Sequence, residues 1–180
     1  MAALSGVTPN GLVYGSTIDA GYSPAYDAVR DFFSAPASAV WPSADLGIAV
    51  PYLLNGRILI KRLWIANGAT VGNGQSDVAI YDRSFNRLIA ATAATTAGTG
   101  TLQYFDVTDT WVGPGLIYIA SVMQSGTDTA LRLAANSISY LRRAGVVQMA
   151  AARPMPATFV PATVTTTYVP VAGFTTRASP

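Results

Sequence analysis

The sequence predicts an all-β protein, an antiparallel β-sandwich of jelly-roll type with extended N- and C-terminal arms and one short N-terminal helix. The 180 residues include one Lys and no Glu, although helices favour both residue types. Short apolar runs alternate with turn residues at a near-regular spacing through the centre, as is typical of sandwiches and jelly rolls. Both ends of the chain are instead rich in Ala, Pro and other small residues.

The composition excludes several kinds of chemistry and favours assembly. The chain has no Cys and no His, so it holds no Cys/His zinc site, disulfide, thiol nucleophile or histidine acid–base pair. Charged residues make up 11% of the chain, against roughly 25% in typical soluble domains. A surface so poor in charge is more stable covered by neighbouring chains than facing water.

Residues 1–45 form the predicted N-terminal arm. Ser23 is a candidate N-cap, Pro24 suits the first helical position, and Pro36 ends the helix. This helix either packs on its own domain, which is the more common arrangement, or belongs to an arm that docks on a neighbouring subunit. Five aromatic residues of the arm are predicted to contact the neighbour: Tyr22, Tyr26, Phe32, Phe33 and Trp41.

Residues 46–135 form the predicted sandwich. Seven runs have the length and residue types of strands: 46–54, 57–66, 77–82, 88–95, 102–107, 116–123 and 129–134. Pro51 favours a sheet edge or a bend in the first run, and Asn55-Gly56 predicts a tight turn after it. Trp64 lies inside an apolar run and is expected in the core.

Residues 136–180 form the predicted C-terminal extended segment. Five prolines interrupt it, at positions 154, 156, 161, 170 and 180, and proline removes a ladder donor and favours extended backbone. We therefore expect residues 150–164 to be an arm. Residues 168–174 are apolar enough to return to the sandwich as a last strand.

No pattern predicts catalysis, a metal site or a cofactor. Asp106 and Asp109 are spaced as a carboxylate pair for glycoside hydrolysis or a cation site. The simpler interpretation is that they cap a strand end and stay solvated, and Asp77 and Asp82 take the same interpretation. The Ser residues have no His partner and no G-x-S-x-G elbow. We therefore expect the protein not to be an enzyme.

The sequence bears on binding to nucleic acid, to other subunits, to glycans and to membranes. The basic residues are too dispersed for a nucleic-acid surface, and the adjacent pair Arg142-Arg143 suits carboxylates across a subunit seam better than phosphates. Trp111 stands beside the Gly113-Pro114-Gly115 turn, so it is expected to be exposed and is a candidate contact for a host glycan. No apolar run has the length of a membrane helix, and the first residues show no basic stretch followed by an apolar one, so no signal peptide is expected.

Several phrases of the central region are similar to small all-β structural proteins of tailed bacteriophage virions. They are Lys-Arg-Leu-Trp-Ile-Ala-Asn-Gly-Ala-Thr-Val-Gly (61–72), Asp-Val-Ala-Ile-Tyr-Asp (77–82), Arg-Leu-Ile-Ala (87–90), Phe-Asp-Val-Thr-Asp-Thr (105–110) and Gly-Pro-Gly-Leu-Ile-Tyr-Ile-Ala (113–120). The resemblance covers residues 46–135 and carries no catalytic motif. It implies a head, neck or tail appendage or a fibre-anchoring subunit; the alternatives are a capsid decoration protein and a carbohydrate-binding module for host attachment.

The expected partners are other virion proteins and further copies of the same chain, as a trimer or in a number matched to the ring that it joins. The expected location is the virion, after assembly in a host cytoplasm whose reducing conditions suit a chain without Cys.

Overall fold

The computed structural model describes residues 14–16, 37–72, 74–124, 126–134 and 137–176. The predicted N-terminal helix and the arm residues Tyr22, Tyr26, Phe32 and Phe33 lie outside these residues. The elements are β1 (Tyr14–Ser16), β2 (Ala37–Val40), β3 (Gly47–Leu54), β4 (Ile58–Ala66), β5 (Gln75–Asp82), β6 (Arg87–Thr95), β7 (Leu102–Val112), β8 (Gly115–Met123), β9 (Thr129–Ala134), α1 (Ile138–Arg143), β10 (Val147–Met149), β11 (Ala162–Thr163), β12 (Tyr168–Pro170) and β13 (Ala172–Thr175).

The eight strands β2 to β9 pair as one long hairpin that is folded over on itself. From the outside inwards, β2 pairs with β9, β3 with β8, β4 with β7, and β5 with β6, all antiparallel. This nested pairing is that of a jelly roll. The sheet orders are β11-β10-β3-β8-β5-β6, β1-β13-β4-β7 and β12-β9-β2. The predicted all-β antiparallel sandwich is confirmed.

The main core lies between the six-stranded sheet and the smaller sheets. Ile80 and Ile119 enter it from the six-stranded sheet, and Leu63 and Phe174 from the four-stranded sheet, all fully buried. Each such side chain contributes about 1.5–3 kcal/mol relative to exposure. Trp64 is also buried, as expected, and its indole N–H donates to the Phe174 carbonyl at 3.3 Å.

A second apolar layer covers the outer face of the six-stranded sheet. Ala49, Ala120 and Ala79 stand side by side across β3, β8 and β5. These small side chains leave room above the sheet, and Met155 and Phe159 fill it at 1% and 0% exposure. We call residues 150–160 the strap. This part of the predicted C-terminal arm therefore packs on its own domain.

The strap is held by main-chain hydrogen bonds as well as by packing. The Ala152 N–H donates to the Asp45 carbonyl (2.8 Å), the Arg87 N–H to the Ala157 carbonyl (2.8 Å), and the Phe159 N–H to the Phe85 carbonyl (2.9 Å). Just before the strap β10 pairs with β3, and after the strap β13 pairs with β4. Residues 168–174 thus return to the sandwich as β12 and β13.

The N-terminal border of the sandwich lies earlier than position 46. β2 pairs with β9, so residues 37–40 belong to the fold. Trp41 is 1% exposed; its indole N–H donates to the Leu46 carbonyl at 2.8 Å, and its ring meets Tyr168 edge-on at 5.1 Å. The predicted contact of Trp41 with a neighbour is corrected: a large indole with an internal hydrogen-bond acceptor is a core residue of its own domain.

Candidate interaction surfaces

The outer face of β4 and β7 carries a row of charged and aromatic side chains. Across the two strands Arg62 lies opposite Asp106 and Leu59 opposite Trp111, with a register shift between Ile60 and Arg62. A bulge of this kind turns consecutive side chains out of strict alternation. We call the row the charged–aromatic stripe: Arg57, Lys61, Arg62, Tyr104, Asp106, Asp109 and Trp111.

Each carboxyl group of the stripe has its own cation. The Lys61 Nζ lies 3.2 Å from Asp109 Oδ2, and the Arg62 Nε lies 2.5 Å from Asp106 Oδ1. Both aspartates lie inside β7, which runs to Val112, so the prediction of a strand ending at residue 107 was wrong. Their side chains are more than half exposed, and exposed pairs contribute about 0–1 kcal/mol each. The arrangement is therefore one of two separate ion pairs, not of two carboxyls facing one substrate.

Trp111 is the most exposed of the large aromatic side chains described, at 56%, as the sequence predicted. The Arg57 guanidinium carbon lies 5.1 Å from the centre of its ring, a cation–π distance. Tyr104 is 38% exposed, with Arg62 at 5.9 Å from its ring. The stripe thus presents two aromatic rings, each next to an arginine.

One flank of the sandwich is open. β6 is the last strand of the six-stranded sheet and β7 the last of the four-stranded sheet, so each has one edge that no strand of the described residues pairs with. Leu88 and Leu102 are 41% and 45% exposed there. The sequence from residue 88 to residue 105 contains no charged residue. We call this edge of β6 and β7 the open flank.

Asp77 shapes the open flank from inside. β6 bulges opposite Asp77, and Ala93 in the bulge has a φ of 57°, a conformation that non-glycine residues rarely adopt. The Ala93 N–H donates to Asp77 Oδ1 at 2.7 Å, and the Met155 N–H of the strap donates to Oδ2 at 2.9 Å. Asp77 is 0% exposed, so its predicted solvated role was wrong. Asp77 alternates in phase with the apolar residues Ala79 and Tyr81 along β5, and this pattern could have predicted its burial.

Asp82 behaves as the sequence predicted. It caps the turn between β5 and β6, accepting hydrogen bonds from the Ser84 N–H (2.8 Å) and the Asn86 N–H (2.9 Å). Slight burial acts to raise the pKa of Asp82, but the hydrogen bonds from Asn86 and Ser84 outweigh it and lower the pKa below its usual value.

Arg142 and Arg143 lie in the last turn of α1, where positive charge is favourable to the helix dipole. Both are exposed, and the Arg142 Nε donates to the Val164 carbonyl at 3.2 Å. Neither forms an ion pair with a carboxylate of the described residues. The subunit seam at these arginines stays a prediction.

Within the described residues, no group of three or more His, Cys, Asp or Glu is placed to hold a metal ion. No helix of the described part of the chain is long and apolar enough to cross a membrane.

Comparisons with known proteins add little to this geometry. No known family profile and no curated protein matches the chain. Among solved structures, the chain is similar to the VP2 protein in the crystal structure of the infectious bursal disease virus VP2 subviral particle, with 13% identity and a TM-score of 0.35. The match covers 91% of this chain and 40% of that one. The fold assignment rests on the strand pairing and not on this likeness.

Proposed function

We propose that the protein is a structural subunit of a bacteriophage virion, an appendage or fibre-anchoring component of the head–neck–tail region that functions by binding other protein chains. The open flank is the observation that carries this proposal. The resemblance of residues 46–135 to structural proteins of tailed bacteriophages supports a phage virion as the particle.

The open flank is unusual because sheet edges are normally blocked. Natural proteins protect edges with Lys, Pro, charged inward-facing residues or bulges, since unpaired main-chain groups are a template for another strand. At the start of β6 the Arg87 N–H is covered by the Ala157 carbonyl of the strap, and at its end the Gln103 side-chain amide donates to the Thr95 carbonyl at 2.8 Å. Between these two points β6 has the bulge at Ala93, and no charge follows Arg87 along it. Exposed Leu88 and Leu102 add apolar area beside these main-chain groups. An edge of this kind supports pairing with a further chain by strand addition or packing.

The first experiment places a charge on the open flank. Leu88→Lys and Leu102→Lys are expected to weaken self-association in sedimentation velocity by about tenfold or more while leaving the unfolding midpoint within a few degrees. Leu53→Lys is the matched control: Leu53 is 59% exposed but lies on β3, away from the flank. A wild-type chain that is monomeric at all concentrations, or equal effects of all three substitutions, would contradict assembly through this flank.

The second experiment tests the particle itself. The chain should be found in purified phage particles by mass spectrometry, and immunogold labelling should place it at the neck or tail. A gene for a portal or tail-tube protein beside its own gene would support the same conclusion. Labelling spread evenly over the head would instead favour the capsid decoration alternative, and absence from the particles would refute a virion role.

A carbohydrate-binding module is the second candidate, and the exposure of Trp111 favours it. An exposed indole next to polar side chains is a surface on which a sugar ring stacks. In a host adsorption assay and on a glycan array, Trp111→Ala would abolish binding, whereas Tyr104→Ala at the other end of the stripe would reduce it less. A purely structural subunit shows no sugar preference in either assay.

The proposed role includes no catalysis. The ion pairing of Asp106 and Asp109 supports this, because each carboxyl is already matched by a cation. Glycan hydrolysis by the wild type that is lost in both Asp106→Asn and Asp109→Asn would overturn it.

A further inference from the structure

A cleft of about 210 Å³ opens on the three-stranded sheet. Its lining combines one arginine (Arg132), two threonines (Thr166 and Thr167) and apolar side chains that include Val40 and Pro42. The volume is below the roughly 300–1,000 Å³ of pockets for drug-sized ligands. The cleft is therefore large enough for one small ligand group and too small for a drug-sized ligand.

Arg132, like Arg142 and Arg143, has no carboxylate partner among the described residues, and it differs from them in having a buried Nε without an acceptor. Arg62 and Arg153 are each paired with an aspartate, whereas no carboxylate of the described residues pairs with Arg132. Its guanidinium lies 5.5 Å from the centre of the Tyr168 ring, and its Nε is buried without a hydrogen-bond acceptor. A guanidinium has five N–H donors, so much of its hydrogen-bonding capacity is unused.

The sheet explains why no acceptor is close. The cross-strand neighbours of Arg132 are Ala37 on β2 and Pro170 on β12, and neither side chain carries a hydrogen-bond acceptor. The floor below the guanidinium is fixed, because the Tyr168 hydroxyl lies 3.2 Å from the carbonyls of Ala39 and Ala130. A ligand entering the cleft thus meets a pre-positioned cation.

We propose that this cleft binds one carboxylate-bearing sugar unit, such as a uronic acid, with the carboxylate on Arg132 and ring hydroxyls on Thr166 and Thr167. The planar guanidinium matches a carboxylate bidentately, here through its two terminal nitrogens because Nε is buried. The Thr166 hydroxyl oxygen accepts the Tyr168 N–H at 3.1 Å and offers its O–H donor to a sugar hydroxyl, whereas the Thr167 hydroxyl can donate and accept. Val40 and Pro42 suit the C–H face of the ring. An acidic peptide side chain would use the arginine alone. This site is separate from the open flank and from Trp111.

The decisive experiment compares two sugars that differ only at C6. The full-length protein, labelled with ¹⁵N, is titrated with methyl glucuronoside and with methyl glucoside at constant ionic strength. The Arg132 Nε–H signal, identified by its loss in Arg132→Lys, is expected to shift saturably with the glucuronoside. The affinity for the glucoside is expected to be at least about tenfold lower, because the glucoside lacks the charge-assisted hydrogen bonds.

Two variants test the residue roles. Arg132→Lys keeps the charge but loses the planar fork, so its affinity for the glucuronoside should fall about tenfold. The Thr167 amide signal measures this affinity. The control Arg143→Lys, on α1, should leave the affinity unchanged. Thr167→Val should weaken the glucuronoside but not N-acetylaspartate amide, which offers a carboxylate without ring hydroxyls. Circular dichroism melting confirms that each variant is folded.

Three outcomes would overturn the proposal. They are the absence of a saturable shift with the glucuronoside, equal affinity for the two sugars, and an affinity for N-acetylaspartate amide or inorganic phosphate as high as that for the glucuronoside. The last would identify a general anion site or a site for acidic side chains. The titration of the wild type needs no substitution, so a variant that fails to fold leaves the test intact.

Discussion

Replacing Asp77 by Asn should destabilise the protein more than the same replacement at Asp128, the other buried aspartate of the described residues. Asp77 accepts one N–H from the bulge of β6 and one from the strap. Asparagine keeps one acceptor oxygen and turns the other into a donor, so either Ala93 or Met155 then faces a donor. Leaving a buried N–H unsatisfied costs about 1–3 kcal/mol, and we expect about 2–3 kcal/mol from a total of about 5–15 kcal/mol.

Asp128→Asn is the matched control. Asp128 is 2% exposed; its Oδ1 accepts the Gly72 N–H at 2.9 Å, while its Oδ2 is buried without a hydrogen-bond partner. Asparagine there preserves the one bond and exchanges one unpaired atom for another, so we expect a loss of about 1 kcal/mol or less. Urea unfolding measures both losses, and hydrogen exchange should quicken at Ala93 or Met155 only in Asp77→Asn. Equal losses for the two variants would refute the double role of Asp77.

Three further predictions concern the strap, the N-terminal border and pH. Phe159→Ala should cost about 3–5 kcal/mol by calorimetry and open the strap to proteases, and a cost as small as that of exposed Val160→Ala would show that the strap is not part of the core. Deleting residues 1–40 should lower the unfolding midpoint further than deleting residues 1–36, because only the longer deletion removes β2; identical midpoints would contradict this. The pKa of Asp82 is lowered in the fold, so its stabilisation is present above its unfolded pKa of about 3.9 and lost as pH falls through the folded value. The stability difference between wild type and Asp82→Asn should therefore shrink in urea titrations from pH 5 towards pH 3, and a constant difference would refute the assignment.

Local patterns predicted the strands well where apolar residues dominate. β4 and β8 match the predicted runs to within one residue, because most of their residues are apolar, with Lys61-Arg62 the charged interruption of β4, and their turns carry Gly or Asn. β7 was predicted too short because Thr108, Asp109 and Thr110, just past the predicted end, break the alternation set by Phe105 and Val107. Asp109 is accommodated by the bulge and by Lys61 of β4, and the local sequence does not show which strand lies next to it.

The strap could not be predicted from periodicity. Its prolines and alanines carry no period, and the groove that receives it depends on Ala49, Ala79 and Ala120 coming into register. These positions are distant in sequence, so their alignment follows from the pairing of three strands. The same holds for the ring contact of Trp41, because its partner Tyr168 lies on β12, far along the chain. Small residues that suggested arms for neighbouring chains instead build a third layer of this domain.

The distribution of charge then separates two kinds of surface. The chain has 11 basic and 9 acidic residues, and five of these 20 lie on the charged–aromatic stripe, whereas residues 88–105 of the open flank carry none. Because β7 contributes to both, a chain that docks on the flank through main-chain pairing also comes close to the ion pairs of the stripe. Apolar and main-chain contacts would then supply affinity, and the stripe would select the partner and its orientation, as charges at the rim of an interface do. Reversing one ion pair of the stripe, as in Lys61→Asp combined with Asp109→Lys, should therefore weaken association much less than either single substitution, since only the single variants leave an unpaired charge at that rim.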